Sequence, residues 1–316
     1  MKRILVTGGA GFIGSHLCEF LLNNNYIVRI IDNLSTGNKK NIENLIGNPN
    51  LEFIYGDITN LEIVRKACKN VDMICNLAAI PSVPRSIENP LESHIANVNG
   101  FFNVLLVAKE YGIKRLVYAS SSSVYGDNKY LPKKEKEIGN QMSPYAINKY
   151  INELYANLFF KLYAMETIGG RFFNIFGPKQ DPSSPYSSVI SKFISNAISG
   201  KQSIINGKGD FSRDFTFVEN VVSFLYLALT TTNINCYGQV YNVGCGDNVK
   251  ILELHKIIYN TLGNNLDPIF SEERKGDVPH SCADITKAQN DLEYKVLKTF
   301  EQGIIETIIY FKNHNN

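Results

Sequence analysis

Tyr145 and Lys149 stand four residues apart in Tyr145-Ala146-Ile147-Asn148-Lys149, which puts a phenol and an ammonium on one face of a helix. A nearby positive charge favours tyrosinate, so the pair makes Tyr145 a candidate proton acceptor below its ordinary pKa of about 10. The spacing by itself is common, because Tyr125/Lys129, Tyr130/Lys134 and Tyr294/Lys298 share it. Context separates them. Ser143 and Pro144 are a favoured helix cap and first helical residue, so a helix should start there and carry Tyr145 in its first turn. The helix dipole favours an anion at that position. By contrast, Gly126 and Asp127 follow Tyr125, Pro132 interrupts the second window, and the third pair has no companion motif. Hydroxyls gather in Ser120-Ser121-Ser122-Ser123, at the end of the apolar run Leu116-Val117-Tyr118-Ala119. There they can hydrogen-bond a substrate hydroxyl and share its proton with Tyr145; the plain alternative is a turn.

A second group of residues points to a bound dinucleotide. Ile4-Leu5-Val6 reads as a buried strand, glycines follow at Gly8, Gly11 and Gly14, and a helical pattern runs on from Phe12 and Ile13. Glycine permits the tight turn, the approach of backbone N–H groups to a pyrophosphate, and close packing of helix on strand. The unpaired N–H groups of the helix start then face the phosphates. Asp32 ends a second apolar strand, Ile27–Ile31, where its carboxylate suits a ribose 2′-hydroxyl and repels a 2′-phosphate. The cofactor expected is NAD rather than NADP.

These residues need a scaffold. Strand-like runs at 3–7, 26–31, 51–55, 72–75, 114–119 and 167–173 alternate with amphipathic segments near 12–24, 60–69, 91–111 and 145–163. That alternation predicts an α/β protein, a Rossmann-type doubly wound parallel sheet with binding residues at the strands' carboxyl ends. After about residue 175 the pattern breaks around Pro178, Pro182 and Pro185, and later stretches mix short helices with loops. The expected organisation is a dinucleotide-binding domain over 1–175, rejoined by segments around 215–250 such as Gln239–Val243. A smaller mixed α/β substrate lobe should fill most of 176–316. The chain has 316 residues, 44% hydrophobic and 20% charged, with a formal charge of only +2. Nothing in it supports nucleic-acid binding. Six scattered cysteines show no CxxC pair or metal-ligand spacing, so free thiols in the cytoplasm are expected, with no metal. No apolar run approaches the length of a membrane span.

Further motifs carry a resemblance: Gly56-Asp57-Ile58, Leu77-Ala78-Ala79, Asn99, Arg171-Phe172-Phe173-Asn174, Gly207-Lys208-Gly209, Ser212-Arg213-Asp214-Phe215 and Arg274-Lys275-Gly276-Asp277. With the glycine turn and the Tyr/Lys pair, they make the chain similar over nearly its whole length to the extended short-chain dehydrogenase/reductase family, and within it to UDP-sugar 4-epimerases. The resemblance implies Ser121, Tyr145 and Lys149 as the catalytic set, with Lys149 also holding the nicotinamide ribose. It implies NAD contacts at Gly8, Gly11, Phe12, Ile13, Gly14, Asp32, Asn33, Asp57 (beside the adenine), Ile58, Leu77, Ala78, Ala79, Asn99 and Phe172. Ser122 and Ser123 stand where related 4,6-dehydratases carry an Asp-Glu pair, which disfavours dehydration.

The reaction so implied is reversible oxidation at C4 through a 4-keto sugar that turns over in the pocket. Arg213 and Arg274 would clasp the diphosphate in bidentate fashion. Asn174 would sit near the diphosphate or sugar, Ser188, Val189 and Phe193 near the uridine, and Ser82, Ser121, Ser122 and Ser123 near the sugar. Ser82-Val83-Pro84-Arg85-Ser86, Asn152–Ala156 and Gln180-Asp181-Pro182 resemble bacterial UDP-N-acetylglucosamine 4-epimerases. Ser281 falls at that group's size-gating position, where a small residue leaves room for an N-acetyl group. Pro81 stands where the group is expected to carry glycine. Other readings are the same chemistry on UDP-glucose/UDP-galactose or a UDP-hexuronic acid, a decarboxylase, and a catalytically silent NAD sensor. The resemblance also implies a homodimer through the helices near 91–111 and 145–163, where Phe101, Phe102, Leu105, Phe159 and Phe160 serve an interface or the core equally well.

Overall fold

The computed structural model describes residues 1–182, 188–273 and 279–314. The six apolar runs of the first half form strands β1 (Arg3–Thr7), β2 (Ile27–Asp32), β3 (Leu51–Tyr55), β4 (Met73–Asn76), β5 (Arg115–Ser121) and β6 (Glu166–Phe172). A seventh strand, β7 (Gln239–Val243), joins from late in the chain. All pair in parallel, in the order β7-β6-β5-β4-β1-β2-β3. The chain leaves β1 in one direction for β2 and β3, then returns to the other side for β4. That reversal opens a crevice at the carboxyl ends of β1 and β4, where ligands bind in sheets of this kind.

Helices cover both faces. Helices α1 (Phe12–Asn23) and α6 (Val218–Thr230) bury Leu17, Leu21, Val221 and Phe224 against Ile4, Val28, Ile168 and Tyr241 on one face. On the other, α2 (Leu61–Cys68), α3 (Gly100–Glu110) and α4 (Pro144–Tyr163) bury Val64, Phe101, Leu105, Ala156 and Phe159 against Leu5, Ile74 and Leu116. Each buried aliphatic or aromatic side chain contributes about 1.5–3 kcal/mol of transfer free energy. A third core is built by Phe176, Phe215, Phe217 and helices α5 (Val189–Ile198), α7 (Ile251–Thr261) and α8 (Phe300–His314). Three two-stranded ladders surround it: Ile175–Phe176 with Thr216–Phe217, Ser212–Arg213 with Val249–Lys250, and Ile204–Asn206 with Ile269–Ser271. Among the described residues no helix is long and apolar enough to cross a membrane.

The helical segment expected over 91–111 is not regular. A short helix, Pro90–His94, passes through a π-helical turn, Ile95–Asn99, before α3 begins. A π turn inserts one extra residue and shifts which side chains face inward. Here it buries Asn97 and leaves Asn99 exposed. Three of the five residues noted for an interface, Phe101, Leu105 and Phe159, lie in the core. Phe102 packs on Tyr155 and Phe160 closes on Gly238, both half-buried.

Candidate active site

The crevice is a cleft of about 2140 Å³ that runs from the glycine turn to the start of α4. Gly8 adopts φ +70, and a Cβ there would lie 2.7 Å from the Ala78 nitrogen; one on Gly14 would lie 2.2 Å from the Gly8 carbonyl oxygen. Side chains at these positions would therefore fill the cradle. Helix α1 starts at Gly11 with no side-chain cap, so its first N–H groups remain available to an anion. The end of β1 is fixed to β4 by the Thr7 hydroxyl, which donates to Asn76 Oδ1 (2.8 Å) and accepts from the Ala78 N–H (3.1 Å). That places Leu77, Ala78 and Ala79 along the cleft wall.

Asp32 is buried at the end of β2, where Oδ2 accepts from the Ala10 N–H (2.9 Å) and Oδ1 from Leu34 (2.8 Å). Burial raises its carboxyl above the usual range despite those bonds. Burial also pushes Asp57 upward, but bonds from Thr59 and from Asn33 (2.6 Å to Oδ2) outweigh it and hold that carboxyl below its usual value. Phe12, Ile13, Asn33, Ile58 and Phe172 line the same cleft. Glycine cradle, uncapped helix start and buried acid together fit a dinucleotide with a free ribose 2′-hydroxyl. Asn99 does not line the cleft. Its neighbour Asn97 instead clamps the loop after β4, donating to the Ile80 carbonyl (2.9 Å) and accepting from the Ile80 N–H (2.8 Å).

At the far end, Ser143 caps α4 by accepting from the Ala146 N–H (3.2 Å), and Pro144 opens the helix. The Tyr145 N–H donates to Ser86 Oγ (3.1 Å), which settles another unpaired donor of the first turn. Tyr145 and Lys149 share the inward face, where the Tyr145 phenol and Ser121, at the end of β5, line the cleft together. Lys149 Nζ lies 5.8 Å from the Tyr145 ring centre and donates to the Ala119 carbonyl at 2.9 Å. The expected depression of the Tyr145 pKa is absent. Desolvation pushes it up to about 12, opposed only by Ser121. Desolvation also lowers Lys149 to about 8, with Glu153 pulling the other way. Burial outweighs the ammonium here: Lys149 Nζ stands 5.8 Å from the ring centre, while desolvation of the phenolate is the largest cause of the shift.

The remaining substrate candidates divide. Ser82, Ser121, Asn174 and Ser188 line the cleft. Asn174 and Ser188 continue into an adjoining chamber of about 220 Å³, whose walls include Val189 and Arg213. Ser122 and Ser123 belong to a turn beside the cleft rather than its wall, and Ser123 donates to Ser121 Oγ at 2.9 Å. Phe193 is a core residue set edge-on to His255, so it does not line the chamber. Ser281 lies one step behind the wall, its hydroxyl accepting from Asn174 Nδ2 (3.2 Å). Arg274 lies outside the described residues.

Sequence reasoning gave no role to the buried groups beneath the site. Glu153, one turn beyond Lys149, accepts from Ser120 Oγ (2.5 Å) and from the fork of Arg171 (2.9 and 2.7 Å). Asp214 is wholly buried and accepts from the N–H groups of Cys245, Gly246 and Ala283 at 2.8–3.1 Å. The four-residue spacing from Lys149 could have flagged Glu153; nothing local flags Asp214, whose partners are remote in sequence.

A parallel sheet with a glycine cradle at its switch point and a Ser–Tyr–Lys set across the crevice defines an enzyme of the extended short-chain dehydrogenase/reductase class. The chain belongs to the NAD dependent epimerase/dehydratase family, which it matches over residues 4–244. NAD is its cofactor, and the protein is an isomerase of the epimerase kind. It is 38% identical to a putative UDP-glucose 4-epimerase of Methanocaldococcus jannaschii, over 99% of both chains. Among solved structures, the UDP-glucose 4-epimerase of Thermotoga maritima with UDP-glucose is 33% identical, with a TM-score of 0.94 and 99% and 100% of the two chains covered. The UDP-N-acetylglucosamine 4-epimerase of Methanobrevibacter ruminantium, in complex with UDP-N-acetylmuramic acid, is 37% identical, with a TM-score of 0.93 and 99% and 98% covered.

Proposed function

We infer that the protein interconverts UDP-N-acetylglucosamine and UDP-N-acetylgalactosamine by reversible oxidation at C4. The observation that carries the N-acetyl preference is the small Ser281, hydrogen-bonded to Asn174 of the cleft wall. The similarity to the Methanobrevibacter enzyme supports it. The second reading is UDP-glucose/UDP-galactose, favoured by the names of the Methanocaldococcus and Thermotoga proteins.

The cradle of Gly8, Gly11 and Gly14, with Asp32, Asp57 and Lys149, would hold NAD, which supplies reversible hydride chemistry when bound. The chain's own groups manage the proton and the sugar. Ser121 and the Tyr145 phenol both line this end of the cleft and interact, so a C4 hydroxyl seated between them would pass its proton to Tyr145 and recover one after reduction from the other face. Lys149, fixed on the Ala119 carbonyl, orients that end of the cleft. Arg213 in the side chamber and Asn174 at its mouth would grip the nucleotide diphosphate while the sugar stays free to turn. Ser188 and Val189 would receive the uridine. The six cysteines are all unpaired, which supports a reducing, cytoplasmic setting. The homodimer belongs to this reading as well.

Purified protein would be incubated separately with UDP-N-acetylglucosamine, UDP-glucose and a UDP-hexuronic acid, and C4 configuration followed by proton NMR. Faster conversion of the N-acetylated sugar is expected; exclusive conversion of another sugar would overturn the assignment.

A further inference from the structure

The Tyr145–Lys149 pair rests on a buried ion pair whose reach extends to both catalytic segments. Glu153 follows Lys149 by one helical turn on the same face of α4. Its side chain is 5% exposed and that of Arg171, on β6, 4%. The Arg171 Nε and Nη2 donate to the two Glu153 oxygens at 2.9 and 2.7 Å, a bidentate fork. One of those oxygens also accepts from Ser120 Oγ at 2.5 Å, and Ser120 is the residue before Ser121 in β5. Arg171 is braced in turn: its Nη1 donates to the Glu135 carbonyl (2.9 Å), and the guanidinium lies 4.8 Å from the Tyr125 ring centre. A single carboxylate thus ties together the strand bearing Ser121, the helix bearing Tyr145 and Lys149, and the next strand.

We propose that Glu153 is a positioning residue of the active site: clamped by Arg171, its carboxylate fixes Ser120, and with it Ser121, and supplies the negative charge that keeps Lys149 an ammonium. A buried ion pair is weak evidence for stability alone, since well-packed apolar residues often do as well. A charge next to a desolvated lysine has a further consequence. Lys149 donates to the Ala119 carbonyl of β5 and lies 5.8 Å from the Tyr145 ring centre on its own helix; Tyr118 of β5, which feels the Glu153–Arg171 pair, is held well above its usual pKa by burial and carries no charge. Glu153 is the charge that raises its pKa against desolvation, and Arg171 stands behind that carboxylate. The inference rests on the reading of Lys149 as part of the catalytic set.

The test measures the titration of Lys149 directly, by 13Cε NMR of lysine-labelled protein with the signal assigned by Lys149→Met, alongside the alkaline limb of kcat in the NAD-loaded enzyme. In the parent both should show a midpoint near 8, where burial places Lys149. In Glu153→Gln both should move to lower pH by about one unit, the scale of losing one nearby opposite charge. Arg171→Gln breaks the same clamp but leaves the carboxylate, so its midpoint should not fall. If Glu153→Gln does not fold, Glu153→Gln with Arg171→Gln removes both charges and keeps hydrogen-bonding amides; a smaller downward shift is expected there, because a positive charge is lost with the negative one. An unchanged Lys149 midpoint in a folded Glu153 variant, or equal downward shifts in Glu153→Gln and Arg171→Gln, would overturn the proposal. A parent whose NMR midpoint is near 8 but whose kcat has no alkaline limb would instead remove Lys149 from the mechanism and leave its coupling to Glu153 intact.

Discussion

At the residue scale, Tyr145 and Lys149 perturb each other less than their spacing suggests. Both lose water, so the phenol climbs to about 12 and the ammonium falls to about 8. A phenol held up at about 12 is a hydrogen-bond donor at neutral pH, so its work as a base needs positive charge beyond Lys149. Tyr145→Phe removes only the hydroxyl. Turnover of UDP-N-acetylglucosamine, followed by NMR, should drop about 10²–10⁴-fold, the usual contribution of a positioned acid–base group. NAD should remain bound, since the glycine cradle and Asp32 are untouched; an active variant would exclude the phenol from proton transfer. Ser281 invites a different substitution. It supports the Asn174 amide, so Ser281→Tyr would push a ring toward the cleft wall through Asn174. Competition assays with the two substrates should show kcat/KM for UDP-N-acetylglucosamine falling more than that for UDP-glucose. Equal losses would mean that the change disorders Asn174 and gates nothing.

At the scale of elements, legibility followed the range of the interactions. The strands β1 to β6 and helices α1, α2 and α4 are announced by apolar periodicity and local caps, and each forms where those signals lie. The seventh strand, too, was visible as Gln239–Val243. The π turn at Ile95–Asn99 was not; there Asn97 bridges both polar groups of Ile80, in the loop after β4 and 17 residues away in sequence. Phe193, which the resemblance placed near the uridine, lies instead in the core, edge-on to His255 of another helix. Asp214 belongs to this scale. Its carboxylate, lifted by burial to about 6, ties the Arg213 segment to the loop after β7 and to the Ser281–Ala283 turn. Asp214→Ala leaves three buried N–H groups without an acceptor. Equilibrium denaturation at pH 7.5 should register a loss of about 3 kcal/mol, the scale of unpaired buried donors. KM for the UDP-sugar should rise as Arg213 and Asn174 lose their support. Unchanged stability and KM would reduce Asp214 to a bystander.

At the scale of the whole molecule, α4 has two faces with different occupants. Its inner face carries Lys149, Asn152, Glu153, Ala156 and Phe159 into the sheet. Its outer face exposes Ile147 (46%), Leu154 (54%), Leu158 (44%) and Leu162 (61%), at helical spacings that line up as one stripe. Leu91 and Ile95, just before α3, and Tyr111, just after it, add to the exposed apolar surface. A chain whose Tyr145/Lys149 helix is apolar on its solvent side has a patch of the kind that pairs subunits. A two-fold arrangement is the simplest closed solution, since one self-complementary surface then covers both copies. The reading predicts a dimer held by leucines, while Phe101, Leu105 and Phe159 keep the fold. Leu154→Glu with Leu158→Glu places two charges on the stripe without touching the inner face. Sedimentation of the NAD-loaded protein should then report a mass near 35.5 kDa, that of one chain, where the parent sediments at about twice that value. Far-UV circular dichroism should stay unchanged. A parent that already sediments as a single chain would leave the stripe without a partner and end the dimer reading.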